Sequence, residues 1–221
     1  MGDLEKQTFL RLYWTQYINL EKEFRNTLHY VSLDPKNYDT FSPSFLKLVL
    51  SLGSEVDIIS KVLASDVDAE FKGDNIIFYC NCITNSLPNF SEVVVKTLNE
   101  EIVLEPWKSW GDNDSPDWWK HYNKIKHDRT GISPEGVPYY QYANLKNVLL
   151  SLSGLYQLLM YLYYNIAMDI KDYVKTPLPG SRIFTLTGDF WDEIAFYNGD
   201  FAFELNMDDG HLYLHNGEIP Y

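Results

Sequence analysis

The sequence predicts a mainly α protein: a four- to five-helix bundle with a short β-hairpin insertion and a small β appendage at its C-terminal end. Three observations lead there. Apolar residues recur at helical spacing through most of residues 3–173. A run of β-branched residues interrupts them near 92–107. Beyond Pro177 the pattern turns alternating and rich in turn residues. The organisation expected is a helical domain over residues 1–176 carrying the β insertion, followed by a β-rich segment, 177–221, packed on the bundle.

Each element has its own signal. In residues 3–31, Tyr13, Tyr17, Leu20, Phe24 and Leu28 form one apolar stripe, and Asp34-Pro35 follows the helix. Ser42-Pro43-Ser44 supplies a cap for a second helix, Phe45 to about Ser65. Gly53 lies inside that helix, where it costs about 1 kcal/mol relative to alanine, which points to a close helix approach. Asp74-Asn75 caps a third helix running to Ser86. Val93–Val95 and Ile102–Leu104 then read as two short strands around a turn. Ser115-Pro116 opens a helix at Trp118. The last helix runs from about Tyr140 to Tyr173 and is closed by Pro177-Leu178-Pro179-Gly180. Strands are expected at Phe184–Leu186, Ile194–Tyr197, Phe201–Leu205 and Leu212–Leu214. Gly188, Asn198-Gly199 and Asp209-Gly210 mark turns, and Asn198-Gly199 is the strongest hairpin signal.

Bulk properties exclude some function classes. The 221 residues carry a formal net charge of −13, so most of the surface repels polyanions and broad DNA binding is not expected. Aromatic residues make up 16 %, too many for a disordered chain. Cys80 and Cys82 lack the spacing of a zinc site and read as reduced core thiols, which fits a cytoplasmic protein. No signal-peptide pattern opens the sequence. Val148–Met168 holds no charge and is long enough to span a bilayer, but Ser151, Ser153, Gln157, Asn165 and several tyrosines mark it as a buried central helix, and no membrane partner is expected. P-loop, nucleophile-elbow, zincin and dinucleotide-binding motifs are missing. No cofactor or metal is expected.

Site chemistry concentrates in residues 118–129, Trp-Trp-Lys-His-Tyr-Asn-Lys-Ile-Lys-His-Asp-Arg. At about 100° per residue, Trp118, Tyr122, Ile125 and Arg129 share one face. Lys120, Asn123, Lys124 and His127 spread over the opposite arc, and His121 and Asp128 lie between. One reading is a core-facing aromatic stripe backed by a solvated basic face. The other is a phosphate-binding or RNA-cleaving site in which His127, Arg129 and Lys126 act and Tyr122, Asn123, Lys120, Lys124 and Asn144 bind, since histidine moves protons near neutral pH and arginine grips phosphate. His127 and Arg129 point about 200° apart on a continuous helix, so they converge only at a helix end, across a ligand or between subunits. Glu21, Glu55 and Asp57 are the carboxylates expected to pair with Arg129 or Lys126 across the bundle. Glu21, Arg25 and His29 also form a line at helical spacing, read as a solvated salt-bridged stripe.

The element Trp118-Trp119-x-x-Tyr122-Asn123-x-x-Lys126-His127-x-Arg129, followed by Ala143-Asn144-Leu145-x-Asn147 and a long apolar helix, resembles a set of uncharacterised bacterial helical proteins. Leu20-Glu21, Tyr30-Val31 and Ser54-Glu55-Val56-Asp57 fit the same pattern, so the resemblance covers about residues 10–165. The Lys-His element before a long helix is also similar to the HEPN superfamily. That resemblance implies a helical bundle, a homodimer and, for many members, metal-independent RNA cleavage. The nuclease motif of that superfamily places histidine after arginine across a longer gap. Arg25 and His29 stand too close together for it, and His127 precedes Arg129. The expectation is therefore a HEPN-like binding protein in bacterial defence or stress. The alternative is a ribonuclease or nucleotide-binding enzyme built on His127 and Arg129.

Overall fold

The computed structural model describes residues 5–87, 89–99, 101–110, 114–169, 177–187 and 191, with strands 203–205, 212–214 and 217–219. The first helical segment is α1 (Lys6–Phe9), which continues through a π-helical stretch, Leu10–Trp14, into α2 (Thr15–Thr27). The π stretch explains a departure from the expected stripe. Its wider turn brings Phe9 and Trp14, five residues apart, onto one core face, so Trp14 is buried where Tyr13 is only half-buried. The helix also stops short of residue 31, with Leu28 as its C-cap.

The central pair is α3 (Pro43–Val67) and α6 (Leu145–Asp169), 25 residues each and packed along one another. Ser42 Oγ caps α3 by accepting from Phe45 N at 3.1 Å, with Pro43 at the first helical position. The expected close approach at Gly53 is present: a Cβ there would overlap the Tyr122 ring. Burying an aromatic ring against the bare backbone stabilises by about 2 kcal/mol, which outweighs glycine's helical cost of about 1 kcal/mol. α4 (Ile76–Ser86) packs on α3, capped by the Asn75 side chain.

The last helix begins later than its apolar pattern predicts. Tyr139–Tyr142 forms a 3-10 turn, Ala143 breaks it, and Asn144 Oδ1 accepts from Asn147 N at 3.0 Å, so α6 starts at Leu145. From Ser151 to Tyr163 every residue of α6 is buried. Most of its buried side-chain polar groups find partners inside: Ser151 Oγ donates to Asn147 O, and Gln157 Nε2 donates to Phe90 O at 2.6 Å, while Gln157 Oε1 has no partner among the described residues. Among the described residues no helix is long and apolar enough to cross a membrane. Residues 170–173, the rest of the expected helix, lie outside the described residues.

The insertion forms β1 (Val94–Thr97) and β2 (Val103–Leu104), paired antiparallel. The structure adds a link that the alternation pattern does not reveal. β3 (Phe184–Thr187) pairs antiparallel with β1, Val95 opposite Leu186, in a sheet of order β2-β1-β3. The insertion and the first C-terminal strand therefore share one sheet instead of forming two separate β units. β4 (Phe203–Leu205), β5 (Leu212–Leu214) and β6 (Gly217–Ile219) form a second antiparallel sheet. The strand expected at Ile194–Tyr197 and the turns at Gly188, Asn198-Gly199 and Asp209-Gly210 lie outside the described residues.

A buried carboxylate ties the C-terminal strand to the first helix. Glu21 is 2 % exposed and accepts from Tyr17 Oη at 2.9 Å, from Ser181 Oγ at 2.5 Å and from Arg182 N at 2.9 Å. Trp14 Nε1 donates to Pro179 O at 2.9 Å beside it. Charge-assisted hydrogen bonds of this kind offset the cost of removing a carboxylate from water. Burial and the Glu21 charge together hold the Tyr17 hydroxyl well above the usual phenol range.

Candidate functional site

The cluster at 118–129 forms α5 (Asp117–His127), which starts after Pro116 and packs on α3 and α6. Its buried face is Trp118, Trp119, Tyr122 and Ile125. The three apolar members of the expected face are thus in the core, and Arg129 is not: the helix ends at His127, Asp128 leaves helical geometry, and Arg129 is exposed. Two indoles here carry their N–H groups to carbonyls, and the buried Trp110 Nε1 has no partner among the described residues. Trp118 Nε1 donates to Pro106 O at 2.8 Å, and Trp107 Nε1 donates to Gly154 O at 3.1 Å.

The residues expected to act do not assemble. His127, Arg129 and Lys126 are all exposed, and the His127 and Arg129 side chains make no hydrogen bond or ion pair among the described residues. Lys126 lies over the Tyr122 ring at 5.5 Å and Lys124 over the Tyr139 ring at 5.3 Å. Lys120 donates to Asp114 at 3.0 Å and Asp117 at 3.3 Å. Cations in the last turn also meet the negative end of the helix dipole, which explains their placement without a ligand. Tyr122 is buried against Gly53, and Asn123 is half-buried. The expected ion pairs are corrected as well. Glu21 serves Tyr17, Ser181 and Arg182 N; Glu55 is half-buried and bonded to Gln16; Asp57 is exposed on α3. None of the three pairs with Arg129 or Lys126. α5 ends at His127, so Arg129 lies beyond the face of the helix that packs on α3.

A different histidine of the same helix meets a second element. His121 is half-buried, and its ring stacks on Tyr142 with centroids 3.9 Å apart and planes inclined by 15°. Asn147 Nδ2 lies 3.1 Å from His121 Nδ1, and Asn147 Oδ1 lies at 3.3 Å. The same Nδ2 donates to Tyr142 O at 2.7 Å, which sets the orientation of the amide. The second N–H of that amide then donates to Nδ1, leaving the ring proton on Nε2. Burial lowers the His121 pKa from its ordinary value of 6.5, so the imidazole is neutral at neutral pH.

These groups border a cleft of about 340 Å³ between the start of α5, the start of α6 and the segments at residues 39 and 105–109. Asp39, Glu105, Ser109, Asp117, Lys146 and Asn144 stand at its polar edge, and Pro106, Trp118, Tyr142 and Leu150 form its apolar wall. A neighbouring groove of about 360 Å³ shares Glu105, Ser109, Lys146 and Leu150 with it and extends along β2. A third groove, of about 480 Å³, lies apart, between the end of α2 and the start of α3, where the Glu23–Lys47 ion pair crosses its rim. Asn144 was expected to bind ligand and stands at the His121 cleft, though its side-chain oxygen already caps α6. Among the described residues no group of three or more His, Cys, Asp or Glu is placed to hold a metal ion.

Sequence reasoning missed His121 and Asn147, and the signals for both were faint. His121 occupies the border between the two faces of α5, where neither pattern claims it. Asn147 follows Lys146 in the first turn of α6, and unlike that lysine it is buried. No protein-family model, curated protein or solved structure matches the chain.

Proposed function

We propose that this chain is a HEPN-like helical-bundle protein that acts by binding, and that its binding site is the cleft beside His121. The observation that carries this reading is the fixed His121–Asn147–Tyr142 unit at the wall of a cleft of about 340 Å³. A buried amide that orients a neutral imidazole presents one defined N–H to a ligand at little entropic cost, because the donor is held before binding. Polar groups converging beside an apolar wall, here Pro106, Trp118, Tyr142 and Leu150, suit a small-molecule site.

The nuclease reading receives less support. Phosphate-transfer chemistry needs its proton-transfer group and its cation within reach of one scissile bond. His127 and Arg129 are exposed at the end of α5, and neither lines any of the three clefts described above. The rim of the His121 cleft also carries three carboxylates, Asp39, Glu105 and Asp117, which oppose an RNA backbone. A homodimer that places two α5 ends together is the arrangement under which the His127 reading would regain force.

Equilibrium dialysis of wild type and His121→Ala against a small-molecule extract tests the reading. Wild type is expected to retain a compound that the variant does not, with both proteins equally folded by circular dichroism. Incubation with a mixed RNA pool in EDTA is the counter-test. Cleavage by wild type that His127→Ala abolishes, with no compound retained at the cleft, would overturn the binding reading in favour of a metal-independent nuclease.

A further inference from the structure

We propose that the ligand of the His121 cleft is a free α-amino acid with an apolar side chain. This inference rests on the reading of that cleft as the binding site, and it comes from which charges there are already neutralised. Glu105 accepts from Lys108 Nζ through both carboxylate oxygens, each at 2.9 Å. Asp117 accepts from Lys120 at 3.3 Å. Lys120 also donates to Asp114 at 3.0 Å, so one ammonium serves two carboxylates. Two bordering residues have no ion pair, one of each sign. Asp39 and Lys146 both border the cleft, and neither forms an ion pair among the described residues.

The backbone holds these two residues on adjoining segments. Lys146 N donates to Tyr38 O at 3.1 Å, and Leu145 N donates to Thr40 O at 3.0 Å, so residues 38–40 run beside the first turn of α6. Asn147 N bonds Asn144 Oδ1, and Val148 N bonds Asn144 O at 3.0 Å. The amides of that helix start are therefore occupied, and the site's cationic character comes from Lys146 alone. Lys146 is also close enough to His121 to disfavour its protonated form.

A carboxylate accepts from Lys146 Nζ and from His121 Nε2–H, an ammonium donates to Asp39, and an apolar side chain lies against Trp118 and Leu150. A ligand with only one charge would leave either Asp39 or Lys146 unmatched. A nucleotide would bring several negative charges to a cleft whose unpaired groups are one cation, Lys146, and one carboxylate, Asp39. The volume of the cleft admits a molecule of amino-acid size.

The test is a titration of histidine-labelled full-length protein, read by NMR at neutral pH. The probes are L-leucine and L-phenylalanine, with 3-methylbutylamine and 4-methylpentanoate as the analogues of leucine that lack the carboxylate and the amine. An amino acid is expected to shift the His121 ring signals saturably and leave those of His127 in place. Each single-charge analogue should bind at least about tenfold more weakly than leucine, the size of effect that losing one charge-assisted contact produces. Asp39→Asn and Lys146→Gln, both at exposed positions, should each weaken leucine binding by a similar factor. If an analogue binds as tightly as leucine, the ligand class is wrong and the cleft stands as a binding site. If no amino acid moves His121 while dialysis still recovers a compound specific to wild type, the inference likewise falls alone. If neither experiment finds a ligand at His121, both readings fall.

Discussion

The two histidines of α5 sit on one helix in opposite circumstances. His121 stacks on Tyr142, is hydrogen-bonded to a buried amide and borders a cleft. His127 is exposed in the last helical turn, amid lysines that rest on tyrosine rings or reach solvent. Basic residues are dense around His127 because a helix end tolerates them, and the dipole alone accounts for that. The imidazole beside Asn147 is different: a second element fixes its orientation and tautomer, and burial lowers its pKa. A site is marked by the convergence of elements more than by the density of reactive residue types along one of them.

This contrast between polar groups held by partners and polar groups held by water can be broken experimentally. The largest effect is expected at Glu21, where partners are most numerous. Glu21→Ala removes the buried acceptor shared by Tyr17 Oη, Ser181 Oγ and Arg182 N and should cost about 3 kcal/mol of stability in urea unfolding. A loss under about 1 kcal/mol would show that the strap at 179–187 is not held by this carboxylate. Asn147→Ala removes a buried group bonded to His121 and to Tyr142 O, and should cost about 2 kcal/mol. In NMR titrations the variant should move the His121 pKa.

The third effect follows pH. Burial depresses the folded pKa of His121 below 6.5. Between those two values the unfolded chain binds a proton that the folded chain does not, so this histidine makes stability fall as pH drops below about 6.5. The slope from one such group is at most about 1.4 kcal/mol per pH unit and ends below the folded pKa. His121→Gln should flatten that window in a series of urea midpoints, and an unchanged slope would assign it to other groups. The smallest effect belongs to His127→Ala, expected to change stability by less than about 0.5 kcal/mol, as for solvated surface positions.

Local patterns in the sequence carry much of the fold. The caps at Ser42 and Asn75, the helix following Pro116 and the helices over 43–67 and 76–86 are set by chemistry within a few residues, and periodicity finds them. Gly53 announces a close approach because its helical cost calls for a compensating contact. The failures lie where distant segments decide. The π stretch at 10–14 moves Trp14 into the core in place of Tyr13, and β3 joins β1 across about ninety residues. The site followed the same division. Asn144, expected as a binding residue, borders the proposed cleft together with Asn147, whereas His127, expected to act where charge is densest, stands exposed at the end of α5.

The sequence by itself determined that this protein is mainly helical, which face of α5 is buried through Trp118, Tyr122 and Ile125, and where most of its helices begin. Those outcomes follow from short-range spacing and from the free energy of burying apolar surface, both of which are written in neighbouring residues. Tertiary structure alone decided that Glu21 holds the C-terminal strap, that β1 and β3 share a sheet, and that His121 and not His127 meets a partner. A hydrogen bond between residues far apart in the chain depends on where two whole elements come to rest, and that position is set by the summed packing of the core rather than by any local pattern.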